Sequence, residues 1–395
     1  MKVLGFVEGA VRGGFGLVGV PMILSSVGHR GHRVALVVCG SVDPGRENLL
    51  VRSVQDAYRR NEGCGSFGIV TLKAWTAWAF APAIWRVGPE VKQADIVSLH
   101  SLYSFPVLAG YLLTRLFHKP YCVWPHGVLA PFQRQVSPRK KSIYDRLFVR
   151  RMLNGASLVF YSADGEREEA ANLGLTAPSM VVPHGIAVDE YLASAPKGRF
   201  RAHFLSSHEG PLVIFLARLN AKKGLRLLIE AMSQVVASRA DVRLAIIGPP
   251  DPPSFLRQVA RWVEEFGIGK NTVLTGAVGS QEKHEALSDA DVFVLPSEAE
   301  NFGFSIFEAM ASRIPVVVSD TLNYSEEIAR SGAGLSVPRL PQKFAEAIHR
   351  LLDDPGLRME MGEKGLLLAR KYSWEENGRI MDDALTGILK RTPMA

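Results

Sequence analysis

Residues 292–311 read VFVLPSEAENFGFSIFEAMA, and this stretch decides the fold. It opens with a short apolar run, Val292–Leu295, that has the length and composition of a buried strand. A loop with acidic residues follows, and a helix is predicted after the loop. A strand that passes through a short loop into a helix is the repeating unit of a parallel α/β sheet.

The same strand-then-helix order recurs along the chain of 395 residues. Short apolar runs alternate with amphipathic helical patterns, which predicts an α/β fold with parallel sheets covered by helices. The predicted strands of the first half are Lys2–Val7, Arg33–Val38, Ile69–Leu72, Ile96–Leu99, Tyr121–Trp124 and Leu158–Ser162. Those of the second half are Leu212–Leu216, Arg243–Ile247, Thr272–Leu274, Val292–Leu295 and Val316–Ser319.

The length predicts two domains, because a domain usually has about 100 to 200 residues. Several prolines and glycines interrupt the strand pattern between Ser179 and Phe204, so the linker is placed there. We therefore predict two Rossmann-like, doubly wound domains, residues 1–185 and 186–373. Open parallel sheets bind ligands at the carboxyl ends of their strands, so two facing sheets are expected to enclose an interdomain cleft that holds the site.

The composition excludes several classes of protein. Hydrophobic residues make up 47% and charged residues 22%, which is the balance of a globular chain rather than a disordered one. The three cysteines have no CxxC spacing and offer neither a disulfide framework nor a thiolate metal site. Met1–Gly9 is interpreted as a buried strand rather than a signal segment, and no apolar run reaches the roughly 18 residues of a membrane-spanning helix. The expected location is the cytoplasm.

The net charge of +7 is concentrated in the first half. Residues 1–185 carry 21 Lys and Arg against 12 Asp and Glu, a balance of +9, whereas residues 186–395 carry 25 against 27, a balance of −2. This surplus favours an acidic partner: anionic lipid, a phosphorylated acceptor or nucleic acid. Nucleic acid is not expected, because no helix-turn-helix, zinc-knuckle or RNP pattern accompanies the charge.

A basic helix is predicted over residues 139–153. Apolar residues at positions 143, 144, 147, 148 and 152 share one helix face, and cations flank them. Two interpretations stay open: peripheral binding at the inner face of the plasma membrane, or a helix packed on its own sheet with a solvated basic side. The aromatic residues Trp75, Trp78, Phe80 and Trp85 fit either an acceptor- or membrane-facing edge or the core.

The loop after the strand Val292–Leu295 has the chemistry of a ligand site. Glu300 lies in the loop, and Gly303 lets the backbone approach a ligand. Free N–H groups at the helix start suit a diphosphate or a sugar hydroxyl. Glu308, two turns further on, can accept hydrogen bonds from a diol such as a ribose. The alternative is a capped helix whose acids complement its dipole.

A second loop supplies cations. Arg218 and Lys223 lie between the predicted strand Leu212–Leu216 and a helix that starts at Gly224. Two fixed cations can neutralise a diphosphate leaving group without a metal, since Arg grips phosphate in a planar fork and Lys supplies a point charge. A solvated loop would be expected from these residues alone, but their position at a strand's carboxyl end and the two acids downstream favour a site.

These residues carry a family resemblance. Glu300 and Glu308, with seven residues between them in PSxxExFGxxxxEAMA, resemble the signature of the retaining GT-B glycosyltransferases of family 4, also called glycosyl transferases group 1. Further motifs that are similar to those of the family occur in order along nearly the whole chain. They are Gly13-Gly14, His126-Gly127, Val182–Ile186, Arg218 with Lys223-Gly224, and Tyr372–Glu375.

The resemblance implies a function. It implies a retaining, metal-independent transfer of a sugar from a nucleotide-diphosphate sugar to an acceptor hydroxyl, in bacterial polysaccharide or lipid-linked glycan biosynthesis. Residues 186–373 would form the donor-binding domain and residues 1–185 the acceptor-side domain, onto which residues 374–395 cross back as a helix. No cofactor is expected, because the nucleotide sugar is a substrate, and no metal is expected, because no aspartate cluster suggests divalent-cation binding. The acceptor would be a glycan or a lipid-linked molecule.

The resemblance also implies the roles of the site residues. Glu300 would contact donor-sugar hydroxyls, and Glu308 would bind the nucleotide ribose. Arg218 and Lys223 would clamp the pyrophosphate, while His126 would lie beside the donor sugar rather than act as a free general base. The implied catalytic residues are His126, Glu300, Arg218 and Lys223. The implied donor-binding residues are Gly13, Gly14, Arg218, Lys223, Gly276, Glu300, Asn301, Phe302, Gly303, Phe304, Ser305 and Glu308.

The chain departs from the family pattern at two places. His184 stands where the family usually has Asn in a PNG junction, and Arg313-Ile314 replaces the usual pair of small residues before Pro315, so the donor's identity does not carry over. Ser162, at the end of a predicted strand, either lines the cleft or caps the next helix, and the cap is favoured.

Three alternative functions stay open. Two are enzymes on the same fold, a sugar-nucleotide epimerase and a glycosyl phosphorylase. The third is a catalytically silent nucleotide-sugar binding or scaffold protein, against which the joint presence of the two cations, the two acids and His126 argues. A dehydrogenase is not expected, because the diglycine is not a full GxGxxG fingerprint.

Overall fold

The computed structural model describes residues 1–8, 15–40, 66–74, 79–129, 138–171, 173–193 and 195–391. The chain divides into two compact units: Met1–Gly185 together with Trp374–Ala395, and Ile186–Ser373. Each unit is built around one parallel β-sheet with helices packed against it. Both units are therefore α/β domains of the Rossmann type.

In the first unit, the described residues form a sheet of seven strands in the order β3-β2-β1-β4-β5-β6-β7. The pairings are parallel, and β1 lies between β2 and β4. The strand order reverses between β1 and β4, and a doubly wound sheet binds ligands at such a switch point. The strands are β1 Lys2–Glu8, β2 Arg33–Gly40, β3 Ser66–Lys73, β4 Ile96–His100, β5 Tyr121–Trp124, β6 Leu158–Tyr161 and β7 Ser179–Val181.

Helices bury both faces of this sheet. One apolar cluster includes Ile23 and Leu24, and a separate cluster includes Val107 and Leu113. Two layers of helices therefore enclose the sheet, as its nearly continuous apolar strands require. The helices of residues 1–185 are α1 Phe15–Gly28, α2 Gly88–Gln93, α3 Phe105–Leu116, α4 Pro138–Tyr144, α5 Arg150–Asn154 and α6 Asp164–Ala171, with a 3₁₀ helix at Pro82–Val87.

The C-terminal helix, Trp374–Arg391, is part of the first unit. Its residues Met381 and Leu385 are buried in the same apolar cluster as α1. The side chain of Asn377 accepts a hydrogen bond from Ser26 Oγ at 3.1 Å and donates one to the carbonyl oxygen of Pro183 at 2.6 Å. A Cβ atom at Gly378 would lie 2.5 Å from the carbonyl oxygen of Ser26, so only glycine permits this close approach.

In the second unit, the sheet of the described residues has the order β10-β9-β8-β11-β12-β13. Its switch point lies between β8 and β11, which are paired in parallel. The strands are β8 Leu212–Leu216, β9 Arg243–Ile247, β10 Thr272–Gly276, β11 Val292–Leu295, β12 Val316–Ser319 and β13 Gly334–Val337. The helices are α7 Val188–Leu192, α8 Arg199–Phe204, α9 Leu225–Ser238, α10 Phe255–Glu265, α11 Ser280–Asp289, α12 Phe304–Ala311, α13 Ser325–Ser331, α14 Pro341–Asp353 and α15 Pro355–Arg370; α16 is Trp374–Arg391 of the first unit.

The linker prediction over Ser179–Phe204 is wrong in its extent. Its first residues form the edge strand β7, and two short helices, α7 and α8, follow after the boundary at Gly185. Strand β7 has only three residues, all at least partly exposed, and therefore gives no buried apolar run that a sequence pattern can detect. Strand β13 was missed as well, because it is short and three of its four residues are partly exposed.

The predicted basic helix is present but interrupted. Helices α4 and α5 are joined by a π-helical turn, Asp145–Val149, which contains an extra residue per turn and so rotates the apolar face. Met152 is consequently buried, whereas Ile143 is 63% and Leu147 47% exposed. Trp75 and Trp78 lie outside the described residues, and Trp85 is exposed. Among the described residues, no helix is long and apolar enough to cross a membrane.

Candidate active site

The candidate site of the second unit lies at the switch point of its sheet. Strands β8 and β11 are neighbours there, and each runs at its carboxyl end into a loop that precedes a helix. The loop after β8 holds Arg218 and Lys223, and the loop after β11 holds Glu300. The topology thus brings the two loops that hold these residues to one edge of the sheet, because parallel neighbours present their loops at the same edge.

The two loops are joined through their backbones. The N–H group of Glu298 donates to the carbonyl oxygen of Lys222 at 2.8 Å, and Ser297 Oγ donates to the same oxygen at 3.2 Å. Gly224 has a φ of +70°, and a Cβ atom there would lie 2.2 Å from the carbonyl oxygen of Pro296. Glycine therefore lets the two loops lie in direct contact.

This contact aligns Lys223 with Glu300. Lys223 Nζ lies 2.5 Å from Glu300 Oε1, and the two side chains are 15% and 14% exposed. An ion pair that is mostly removed from water is strongly coupled, because little solvent screens it. The Glu300 loop is held from the other side as well, since Asn323 Nδ2 donates to the carbonyl oxygens of Glu300 and Asn301 at 3.0 and 3.1 Å.

A second, parallel arrangement surrounds Glu308 on helix α12. Lys283 Nζ on α11 donates to Glu308 Oε1 at 2.8 Å and to the hydroxyl oxygen of Tyr191 at 2.7 Å. The same ammonium lies 5.2 Å from the centre of the Tyr191 ring, within the range of a cation–π contact. Each of the two predicted acids is therefore paired with a lysine from another element.

Arg218 is placed differently from Lys223. Its side chain is 59% exposed, and its Nη1 atom lies 3.1 Å from Asp251 Oδ2, which is also exposed. A surface ion pair of this kind is worth little, about 0 to 1 kcal/mol, so the guanidinium can exchange partners at small cost.

The remaining predicted donor residues lie around the start of α12. Gly303 has a φ of +82° and precedes the helix, so that the backbone N–H groups of Phe304 and Ser305 are in its first turn. Phe302 is buried and stacks on Phe307 with a centroid distance of 4.3 Å, which anchors the loop in the core. Gly276 ends β10 with a φ of +72°, and in the described part of the chain no heavy atom lies within 4 Å of the position that its Cβ atom would take. Gly13 and Gly14 lie outside the described residues.

His126 belongs to the first unit, where it follows strand β5. Its φ is +55°, a left-handed conformation that few residues with a side chain adopt. Its ring stacks near three others, with centroid distances of 5.3 Å to His100, 5.5 Å to Trp124 and 5.6 Å to His184. Sequence reasoning named His126 and noted His184 only as a departure, and it missed His100, although His100 ends β4 just before the same sheet edge.

Burial keeps this histidine cluster uncharged. It lowers the pKa of His100 and of His184 to about 3. The pKa of His126 is also well below its ordinary value, first because of burial and then because of its two histidine neighbours. The three rings are therefore neutral at physiological pH. Among the described residues, no group of three or more His, Cys, Asp or Glu side chains has an arrangement that could hold a metal ion.

Glu166 fixes the turn that carries His126. Its buried carboxylate accepts hydrogen bonds from the N–H of Gly127 at 2.5 Å, from the N–H of Ser162 at 2.8 Å and from Ser162 Oγ at 2.7 Å. Ser162, which was predicted to cap the next helix, donates its hydroxyl proton to Glu166 in the first turn of α6. Sequence reasoning missed Lys283 and Tyr191, because their partners are remote in sequence. It also missed Glu166, whose contact with Gly127 is made to a remote backbone group.

Comparisons with known proteins agree with this architecture. The family model "Glycosyl transferase 4-like domain" matches residues 18–185, and the model "Glycosyl transferases group 1" matches residues 197–367. The chain belongs to the glycosyltransferases of the GT-B fold.

Curated relatives and solved structures extend the comparison. An alpha-D-kanosaminyltransferase of Streptomyces kanamyceticus is 27% identical over 344 residues, 82% of this chain and 84% of the relative. A D-inositol 3-phosphate glycosyltransferase of Corynebacterium glutamicum is 27% identical over 286 residues, 70% of this chain and 68% of the relative. The structure of Anabaena HepE in complex with UDP and glucose matches with a TM-score of 0.77 at 17% identity, covering 98% of this chain and all of that one (100%). At that identity the structural likeness shows the fold.

Proposed function

We propose that this glycosyltransferase moves a sugar from a nucleotide-diphosphate sugar to an acceptor hydroxyl with retention of the anomeric configuration and without a metal ion. One observation carries the proposal: the switch point of the second sheet brings Lys223 onto Glu300, while Lys283 pairs with Glu308 on the helix that follows. Acids of this kind accept hydrogen bonds from sugar and ribose hydroxyls, and cations neutralise a diphosphate.

Each side chain then has a distinct task. Glu308 accepts hydrogen bonds from the ribose diol, and Glu300 accepts them from hydroxyls of the donor sugar. Arg218 leaves its exposed contact with Asp251 and, with Lys223 and the N–H groups at the start of α12, binds the diphosphate. These positive groups stabilise the charge that develops on the departing diphosphate, so no metal is required in the scheme. The leaving phosphate takes the acceptor's proton on the same face of the sugar.

Relatives support a nucleotide-sugar donor and a role in glycan biosynthesis. The complexes of HepE contain UDP, UDP with glucose, and UDP-glucose, so UDP-sugars are the first donors to test. The first unit, residues 1–185, would receive the acceptor, for which we propose a glycan or a lipid-linked molecule of bacterial polysaccharide synthesis. The donor would be a substrate, with no cofactor.

We further propose that the first unit binds the inner, anionic face of the cytoplasmic membrane. Exposed Ile143 and Leu147 lie in the helical segment Pro138–Asn154, and the exposed side chains of Arg146 and Arg150 lie in the same segment. Apolar insertion together with cations is the combination that holds a helix at an anionic bilayer. Sedimentation with anionic vesicles is expected to carry the protein down, less so at high salt and less so for Ile143→Ser with Leu147→Ser. Leu367→Ser, an exposed apolar position of the second unit, is the control.

The donor is identified by a thermal-shift and calorimetric screen of UDP-, GDP-, ADP- and dTDP-sugars on the wild type and Glu308→Ala. A ligand that binds only the folded chain raises its melting temperature. Stabilisation by one nucleotide class, weakened in the variant, supports the proposal, and product NMR with and without EDTA then tests retention and metal independence. Tight binding without transfer or hydrolysis would favour the silent binding protein, and no stabilisation by any donor would contradict the proposal.

A further inference from the structure

A chain of side-chain hydrogen bonds runs along β4 and β5 of the first unit to His126. Cys122 Sγ lies 3.4 Å from Ser98 Oγ, and Ser98 Oγ lies 2.9 Å from His100 Nε2. His100 Nδ1 lies 3.0 Å from His126 Nε2. Cys122, Ser98 and His100 are buried, so these groups exchange no hydrogen bonds with bulk water.

The register of the sheet puts these groups in line. In the pairing of β4 with β5, Ser98 lies opposite Cys122, and His100 lies opposite Trp124. Residues two apart on a strand point to the same face, so Ser98 and His100 are on one face of β4. The His100 ring is also nearly parallel to the rings of Trp124 and His126, with interplanar angles of 13° and 10°. Both hydrogen bonds and packing therefore hold its orientation.

The number of protons available determines which group donates in each of these hydrogen bonds. The neutral His100 ring has one N–H group and one acceptor nitrogen. Among the described residues, the Ser98 hydroxyl contacts Cys122 Sγ and His100 Nε2. A sulfur atom is a weak acceptor, so the hydroxyl proton is donated to Nε2. The proton of His100 is then on Nδ1, from which it is donated to His126 Nε2.

We infer that His100 is a positioning residue, which holds His126 as the neutral tautomer that carries its proton on Nδ1 and has its Nε2 lone pair engaged. The consequence for catalysis rests on the proposed function: His126 takes part in the transfer as a hydrogen-bond donor through Nδ1–H, and Nε2 does not take the acceptor's proton. The tautomer of a histidine is set by the hydrogen bond at its other nitrogen, and here His100 makes that bond.

The same bond steadies a strained turn. His126 has a φ of +55°, and a non-glycine residue in this region is held there by its surroundings. Glu166 fixes the next peptide through the Gly127 N–H, and His100 fixes the ring. His100 thus acts on the orientation of His126 as well as on its proton.

The inference is tested by measuring the tautomer of His126 directly, by NMR on the full chain labelled with ¹⁵N-histidine. Correlation spectra of the ring nitrogens distinguish a protonated from an unprotonated nitrogen, and the signals of His126 are assigned by their loss in His126→Gln. We expect Nδ1 protonated and Nε2 unprotonated. In His100→Gln the amide N–H₂ can still donate to His126 Nε2, so His126 is expected to keep its tautomer. In His100→Leu and Ser98→Ala this constraint is lost, and His126 is expected to shift toward the Nε2–H tautomer.

Transfer rates give a second readout. With the donor identified by the screen, His100→Leu is expected to lower kcat about tenfold, the effect of one lost hydrogen bond, and His100→Gln is expected to restore most of it. A wild-type Nε2–H tautomer, a charged ring, or an unchanged tautomer in folded Ser98→Ala would overturn the inference. Calorimetry on the same samples is expected to show that the His100 and Ser98 variants bind UDP as tightly as the wild type. If the wild type itself does not bind UDP, that result contradicts the proposed function and leaves the inference about the tautomer intact.

Discussion

Lys223 and Glu300 are 77 residues apart in sequence, yet their side chains form an ion pair with an Nζ–Oε1 distance of 2.5 Å. They come from the loops after β8 and β11, the two strands that meet at the switch point of the second sheet. In this structure each group neutralises the other. Under the proposed function a bound donor would offer a phosphate to the lysine and a hydroxyl to the acid, so donor binding and separation of the pair would be linked.

The first prediction concerns this pair. Lys223→Met leaves the mostly buried carboxylate of Glu300 without its cation. We therefore expect the free energy of unfolding to fall by about 1–3 kcal/mol. The double variant Lys223→Met with Glu300→Gln is expected to recover most of that stability and none of the transfer activity. Urea unfolding and a transfer assay measure the two properties. Equal stability of the single and double variants would show that the pair is not coupled.

The second prediction concerns Glu308. Its carboxylate is proposed to bind the ribose diol, so Glu308→Gln is expected to weaken UDP binding by about 10- to 100-fold, the equivalent of one charge-assisted hydrogen bond. Calorimetry with UDP and 2′-deoxy-UDP tests the contact. The deoxy nucleotide lacks one hydroxyl and is expected to bind the wild type weakly, with little further loss in the variant. If Glu308→Gln weakens the binding of UDP and of 2′-deoxy-UDP by similar factors, Glu308 does not contact the 2′-hydroxyl of the ribose.

The third prediction separates steric contact from backbone strain. Gly224 and Gly267 have nearly the same φ, +70° and +69°. A Cβ atom at Gly224 would lie 2.2 Å from the carbonyl oxygen of Pro296, whereas among the described residues no heavy atom lies within 4 Å of the position of a Cβ atom at Gly267. Gly267→Ala is expected to cost about 1–2 kcal/mol, the strain of a left-handed residue.

Gly224→Ala is expected to lower the free energy of unfolding by more than its control, Gly267→Ala, does. It is also expected to lower donor affinity, because it pushes the Lys223 loop away from the Glu300 loop. Thermal melting and UDP calorimetry of both variants give the comparison. If the two alanines have the same effect on stability and on UDP binding, the loop contact is not essential.

The fourth prediction concerns Glu166. Its buried carboxylate accepts three hydrogen bonds from Gly127 and Ser162, so Glu166→Ala is expected to destabilise the chain by about 2–4 kcal/mol. Glu168→Ala, at an exposed position on the same helix, is expected to change stability by less than about 0.5 kcal/mol. Urea unfolding measures both variants. Hydrogen exchange of the Gly127 N–H should quicken in Glu166→Ala alone, and a slow exchange there would disprove the contact.

The fifth prediction concerns the pH dependence of stability. Burial lowers the pKa of His100 and His184 to about 3 in the folded chain, whereas an unfolded histidine titrates near ~6.5. Below pH ~6.5 these histidines bind protons in the unfolded chain but not in the folded chain. Their contribution to the free energy of unfolding is therefore complete above pH ~6.5 and is lost as the pH falls toward 3. The loss is up to about 1.4 kcal/mol per pH unit for each histidine.

His184→Gln is therefore expected to reduce the difference in unfolding free energy between pH 7 and pH 5.5 by about 1 kcal/mol, the share of one such histidine. His203→Gln, at an exposed position, is the control. Guanidinium unfolding at the two pH values measures the difference. The same pH dependence in His184→Gln and in the wild type would mean that the ring of His184 is not kept neutral by the fold.

The sequence by itself determined the alternation of strands and helices and most strand bounds. Tyr121–Trp124, Leu212–Leu216 and Val292–Leu295 were located to the residue, because a buried parallel strand is a short apolar run with sharp ends. It also determined which loops carry charge. The short, partly exposed strands β7 and β13 escaped detection, since an edge strand needs few apolar residues and is defined by its pairing.

Only the tertiary structure decided how the charged and polar groups are paired. Lys283 with Glu308, Glu166 with Gly127, and Ser98 with His100 and His126 follow from strand order, register and helix packing. The local sequence around each residue contains no information about them. Periodicity reports which side of an element is buried, because burial is an average property of a stretch. A hydrogen bond depends on the position of two particular atoms to within a fraction of an ångström, and that position is set by the packing of the whole unit.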